Sequence, residues 1–161
     1  MTRTLAAHIR LLVLDVDGVL TDGRLWFGAD GEALKAFHVR DGVGIKAVLD
    51  AGIEVAIISG RESAMVSRRA AELGIAHVYQ GVTDKSAMLT ALMNRVQCTR
   101  DMTACVGDDT PDLSMMALVA LPVAVADAHP DVRTKALLIT QAVGGAGAVR
   151  EVCDLLLAAR Q

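Results

Sequence analysis

The run Ile9-Arg10-Leu11-Leu12-Val13-Leu14-Asp15-Val16-Asp17-Gly18-Val19-Leu20-Thr21 is the place from which the architecture of this chain can be read outward. Leu11 to Leu14 are apolar without polar alternation, the pattern of a strand covered on both faces of a parallel sheet. The run is too short to span a bilayer, and two carboxylates follow it directly, so it reads neither as a membrane helix nor as the core of a secretion signal. In an open α/β sheet, ligands bind in the crevice beyond the C-terminal ends of the strands. Asp15 and Asp17, two residues apart at such an end, are therefore expected to meet one ligand, and Gly18 lets the backbone turn sharply beside it. A strand end followed by an Asp-rich turn would also account for a lone D-x-D, so the rest of the chain has to decide.

Similar apolar runs recur at Glu54 to Ser59, Ala76 to Gln80, Thr103 to Gly107 and Pro122 to Ala126. Segments of helical length lie between them, near Gly44 to Ala51, Ser63 to Leu73, Lys85 to Val96, Thr110 to Leu118 and Pro130 to Leu137. The tail, Ala148 to Arg160, reads as a further helix with Val149, Val152, Cys153, Leu155 and Leu156 on its inner face. Alternation of strand and helix predicts right-handed βαβ units and a doubly wound, mainly parallel α/β sheet. One segment breaks the rhythm. Arg24 to Val39 reads as a projecting hairpin, with strands around Leu25 to Gly28 and Leu34 to Val39 joined by Ala29-Asp30-Gly31-Glu32.

The 161 residues fit a single domain spanning 1–161, with 53% hydrophobic and 22% charged residues to fill and solvate one core. Aromatic residues make up only 2%, so aliphatic side chains must fill the core. A formal charge of -3, with Lys and Arg scattered singly, offers no basic footprint for nucleic acid or an anionic membrane. Cys98, Cys105 and Cys153 are odd in number and lack C-x-x-C spacing, which argues against a disulfide framework or a zinc site and for a reducing, cytoplasmic home.

Three later stations turn the D-x-D pair into a site. Ser59-Gly60-Arg61 follows Val55-Ala56-Ile57-Ile58 and puts a hydroxyl and a backbone N–H at the next strand tip, suited to a phosphate oxygen, although a helix N-cap would use the same residues. Lys85 stands at a helix start, where the macrodipole disfavours a cation unless it meets an anion; a solvated surface lysine is the plainer alternative. Gly107-Asp108-Asp109-Thr110-Pro111-Asp112 closes another strand, and capping by Thr110 does not require three carboxylates. Together these supply what cleavage of a phosphate monoester needs. One carboxylate attacks phosphorus, a second handles the proton, Asp15 and Asp108 offer hard oxygens to Mg²⁺, and Ser59 and Lys85 neutralise the phosphate.

The order D-x-D-G, Ser-Gly, Lys, G-D-D-x-x-D resembles the haloacid dehalogenase superfamily along the whole chain. Finer stretches are similar to its branch of 3-deoxy-D-manno-octulosonate 8-phosphate phosphatases: Gly31-Glu32-Ala33-Leu34-Lys35-Ala36-Phe37, Val39-Arg40-Asp41-Gly42-Val43-Gly44, Val123-Ala124-Val125-Ala126-Asp127-Ala128-His129-Pro130 and Gly147-Ala148-Val149-Arg150-Glu151-Val152-Cys153-Asp154. The resemblance implies a fold without a cap domain, a homotetramer and a role in making the lipopolysaccharide sugar KDO. It implies that Asp15 is nucleophile and metal ligand, Asp17 acid/base and a metal ligand through its carbonyl, and Asp108 the third ligand of Mg²⁺. It also implies a substrate site formed by Asp17, His38, Val39, Arg40, Asp41, Gly42, Lys46, Arg61, Arg69 and Lys85.

Some positions depart from the family pattern. His38 stands where many relatives have Asn, and Gln141 and Ala146 where some have Arg; the stretch Gly144-Gly145-Ala146-Gly147 is compatible with a flexible helix entry. The nearest competing reading is a phosphatase of nine-carbon nonulosonate 9-phosphates, against which Arg61 speaks because those relatives tend to carry an acidic residue there. A non-catalytic module that retains the fold is the competing reading of another class, and the intact Asp15, Asp17, Lys85 and Asp108 oppose it.

Overall fold

The computed structural model describes residues 2–161. Its main sheet has six parallel strands in the order β5-β4-β1-β6-β7-β8. These are β1 (Leu11–Leu14), β4 (Glu54–Ile58), β5 (His77–Tyr79), β6 (Thr103–Gly107), β7 (Leu121–Ala124) and β8 (Leu138–Ile139), with β2 (Trp26–Gly28) and β3 (Gly31–Leu34) forming a separate antiparallel pair. The helices are α1 (Thr2–His8), α2 (Val39–Asp50), α3 (Ala64–Leu73), α4 (Lys85–Arg95), α5 (Leu113–Met116), α6 (Pro130–Lys135) and α7 (Ala148–Ala158).

β1 and β6 form the middle of the sheet, and both are buried along their whole length because helices cover both faces there. Leu11, Leu12, Val13 and Leu14 have no exposed surface, and Leu11 faces Glu54 of β4 on one side and Thr103 of β6 on the other. The chain leaves β1 towards β4 and β5, then crosses back to β6. The strand order therefore reverses beside the C-terminal ends of β1 and β6, which opens a crevice at the point where Asp15 and Asp108 emerge. α2 and α7 pack on each other; a Cβ on Gly44 would lie 3.0 Å from Arg150 Cδ and Cys153 Cβ, so glycine permits the close approach.

The doubly wound parallel sheet and the hairpin match the reading of the sequence, with three differences. The hairpin is tighter: Gly28 pairs with Gly31 across the two-residue turn Ala29-Asp30, with Gly31 at φ +114. β3 ends at Leu34, and α2 begins at Val39 instead of near Gly44, so Val39-Arg40-Asp41-Gly42 form the first turn of a helix. Two glycines in that turn region conceal a helix from a propensity reading, and burial against neighbouring elements overrides them. Phe37 accordingly leaves the hairpin and packs against the domain's own core. α1 and the two-residue β8 carry too little periodicity to be read from sequence.

The hairpin projects. Trp26 is 49% and Phe27 64% exposed, and Leu25 and Leu34 are exposed beside them. Among the described residues, no helix is long and apolar enough to cross a membrane.

Candidate active site

The ends of β1, β4 and β6 and the start of α4 converge on an open cleft of about 330 Å³ lined by Asp15, Asp17, Ser59, Arg61, Lys85, Asp108 and Asp112. Lys85 occupies the first helical position of α4, whose N-cap Asp84 accepts the N–H of Ala87 at 2.9 Å. Its side chain runs inward, and Nζ donates to Asp15 Oδ1 at 2.7 Å and to Asp112 Oδ1 at 2.6 Å. The other Asp112 oxygen accepts the backbone N–H of Asp108 at 3.0 Å. Asp112 thus ties the nucleophile candidate, the lysine and the loop after β6 into one unit. Glycine is required twice in this arrangement. A Cβ on Gly18, at φ +91, would fall 2.0 Å from Asp108 Oδ2, and one on Gly107 would fall 2.6 Å from Asp112 Cβ.

The charges are out of balance. Desolvation by burial, followed by the charge of Asp112, pushes the Asp15 pKa up to about 7 against the pull of Lys85. Asp108 is pushed up to about 8, first by burial and then by the charges of Asp15, Asp112 and Asp109. Burial alone would lower the Lys85 pKa, but Asp15 and Asp112 outweigh it and hold the ammonium charged. One ammonium does not compensate three carboxylates. Oxygens of Asp15, Asp108 and Asp112 lie within 4.8 Å of one another, a set of hard ligands that fits a small divalent cation.

Asp112 was not among the residues singled out from the sequence as metal ligands; its signal was the third acid of Gly107-Asp108-Asp109-Thr110-Pro111-Asp112. The Asp17 side chain turns away from the carboxylate cluster. One of its oxygens pairs with Lys35 and the other lies 3.5 Å from Arg61 Nε, while Glu32 Oε1 lies 2.9 Å from Lys35 Nζ and 3.8 Å from Arg61 Nη2. Glu32 and Lys35 come from the hairpin. Their signal in the sequence was charge beyond the turn residue Asp30 in a segment otherwise apolar and rich in aromatics.

The remaining predicted substrate residues do not line this cleft. His38, Asp41, Gly42 and Arg69 surround a separate small cavity together with Phe37. Val39 is exposed, Arg40 lines a recess beside the start of α7, and Lys46 lies on a different face near Glu72. Asp41 is buried and its Oδ1 accepts the N–H of Arg150 at 2.7 Å, so it anchors the first turn of α7. The Gly144 to Gly147 stretch is a clamp as well as a helix entry. A Cβ on Gly144 would lie 1.7 Å from the Gly18 carbonyl oxygen, and Gly145 N–H donates to the Val19 carbonyl at 3.0 Å, which holds the loop after Asp15. Cys105 and Cys153 are buried, and desolvation raises both thiol pKa values, that of Cys153 to about 12, leaving them inert as nucleophiles.

A parallel sheet that gathers acidic side chains from adjacent strand ends around a buried lysine is an arrangement suited to the class of enzymes that transfer phosphoryl groups. Residues 74–151 match the family model of haloacid dehalogenase-like hydrolases. A 3-deoxy-D-manno-octulosonate 8-phosphate phosphatase from Yersinia pestis is 52% identical over 155 residues, 96% of this chain and 83% of that protein. The solved structure of such a phosphatase from Yersinia pestis superposes with a TM-score of 0.97 at 50% identity, covering 99% of this chain and 86% of that one. That of the Moraxella catarrhalis phosphatase, in complex with magnesium, phosphate and KDO, gives 0.95 at 43% identity, covering 98% and 91%. The chain belongs to the haloacid dehalogenase superfamily and, within it, to the family of 3-deoxy-D-manno-octulosonate 8-phosphate phosphatases.

Proposed function

We propose that this protein hydrolyses 3-deoxy-D-manno-octulosonate 8-phosphate to KDO and phosphate, with Asp15 as the nucleophile, as a step towards lipopolysaccharide. The observation that carries the reading is the Asp15-Asp108-Asp112 cluster closed by Lys85 at the switch point of the sheet. Asp15 attacks phosphorus and forms an aspartyl phosphate. Asp17 protonates the departing sugar oxygen, then takes a proton from the water that cleaves the acyl phosphate. Ser59 and Lys85 hold phosphate oxygens, which lets an anionic nucleophile approach an anionic ester. Mg²⁺ is the cofactor; Asp15 and Asp108, the Asp17 carbonyl and the Asp112 carboxylate would hold it, and its charge offsets that of the carboxylates and the phosphate.

The test is a panel of phosphate esters with Mg²⁺ that includes the octulosonate 8-phosphate and a nonulosonate 9-phosphate. The eight-carbon substrate is expected to have a kcat/KM higher by at least about 10-fold, a ratio that a few sugar contacts provide. Preference for the nine-carbon ester would move the assignment to the neighbouring branch, and no phosphate release from any ester would return the chain to a non-catalytic role. Arg61, in the cleft beside Asp17, favours the eight-carbon reading and offers a cation to the substrate carboxylate.

The oligomer belongs to the same proposal. Leu25, Trp26, Phe27 and Leu34 on the hairpin, with Val39 and Val43 on α2, expose apolar surface of the kind that marks protein contacts. A homotetramer would cover it, and would let His38, Val39, Arg40, Lys46 and Arg69 of one copy approach the cleft of another, with the buried Asp41 and Gly42 shaping the turn that carries them. Residues 1–161 acting as one domain is supported by a single continuous core, and residence in the cytoplasm by the unpaired thiols. Trp26→Asp combined with Phe27→Asp is expected to break assembly, seen by light scattering, and to raise KM by roughly 10-fold or more, since a few interface anchors carry most of an interface's energy. An unchanged oligomer, or a monomer with unaltered KM, would remove the hairpin from this role.

A further inference from the structure

Around Asp17 the charges alternate in a closed ring. Lys35 Nζ pairs with Asp17 Oδ1 and with Glu32 Oε1, and Arg61 reaches Asp17 Oδ2 through Nε and Glu32 through Nη2. The four members are unequally placed. The Lys35 side chain is 2% exposed, whereas that of Arg61 is 44% exposed and faces the open cleft. Lys35 therefore has no solvent role, and its ammonium is committed to two carboxylates, one of them the proposed proton donor.

We propose that Lys35, braced by Glu32, is a positioning residue that holds the Asp17 carboxyl in the orientation for proton transfer to the departing sugar oxygen. This rests on the reading of Asp17 as the acid. Proton donation needs the carboxyl within hydrogen-bond reach of the leaving oxygen, and an aspartate free to rotate about two bonds spends little time there. Lys35 on one oxygen removes that freedom. Once the proton has left, the same ammonium faces the carboxylate it leaves behind and stabilises it as the charge develops. The hairpin therefore carries part of the catalytic apparatus of its own chain, in addition to any interface.

A purely structural tie between hairpin and domain would have a different kinetic signature. An alkoxide leaving group needs the proton and p-nitrophenolate does not, and kcat/KM reports the first, phosphoryl-transfer step for both. Lys35→Met is expected to lower kcat/KM for a sugar phosphate by about 10²-fold, within the range of general acid catalysis, with a loss on p-nitrophenyl phosphate at least about tenfold smaller. The inhibition constant of inorganic phosphate should stay within about twofold, because phosphate binding does not use Lys35, and Lys35→Arg should recover most of the sugar phosphate activity. Glu32→Ala removes the brace without touching Asp17; it should show the same selectivity with a smaller loss, and serves if Lys35→Met fails to fold. Equal losses on the two substrates, or none on the sugar phosphate, would overturn the proposal. Asp17→Asn separates the two ideas. If it is selective between the substrates and the Lys35 and Glu32 variants are not, only the positioning role falls; if Asp17→Asn is unselective, the acid assignment itself falls.

Discussion

Asp15→Asn is expected to lower turnover by more than about 10⁴-fold, since removal of a covalent nucleophile costs more than removal of a supporting group. The amide keeps the shape and can still accept from Lys85, but it cannot form the acyl phosphate. Stability should move the other way from activity. Asp15 is a buried carboxylate whose pKa is raised to about 7 by desolvation and by Asp112, so its charge opposes folding at neutral pH. Metal-free Asp15→Asn protein should therefore melt no lower than the wild type at pH 8. Measured phosphate release near the wild-type rate would reject Asp15 as nucleophile, and a melting temperature several degrees lower would show that the cluster stabilises the fold as a whole.

Removal of the metal has the second largest expected effect. A chelator should reduce phosphatase activity by at least about 10²-fold and Mg²⁺ should restore it, as for sites in which a cation offsets the charge of nucleophile and substrate. The pH dependence follows from Asp15 and Asp108, whose pKa values rise from 3.8 to about 7 and about 8. A carboxylate raised on folding adds stability that is full below its unfolded pKa and is lost as pH rises through the folded one. The metal-free protein should lose stability between about pH 4 and pH 8. Cation binding requires the deprotonated carboxylates, so the stabilisation by Mg²⁺ should grow over the same window. At 100 times its dissociation constant a ligand adds about 2.7 kcal/mol, which for a chain of this size is about 5–10 °C in melting temperature at pH 8, shrinking towards pH 5. Melting curves with and without Mg²⁺ would check this; a shift independent of pH would mean that Asp15 and Asp108 are not the ligands.

Much of this protein is written locally. The unbroken apolar run Leu11 to Leu14, buried throughout, marks an interior strand because only a strand flanked by others and covered by helices buries both faces of an extended segment. The ends of such strands then locate Asp15, Ser59 and Asp108, because a parallel sheet presents all its C-terminal ends on one side. The sequence alone also carried Lys85, through a cation placed at a helix start. Whatever depended on how distant segments meet was decided by the tertiary structure. Asp112 joins Asp15 only because Lys85, 27 residues earlier in the chain, bridges them. Lys35 becomes a partner of Asp17 only because the base of the hairpin returns to the domain beside Asp17, and Val39 to Gly42 become helix because burial outweighs the poor propensity of Gly42 and Gly44. Periodicity reports which face of an element is covered, while the identity of what covers it is set by long-range packing that no local window contains.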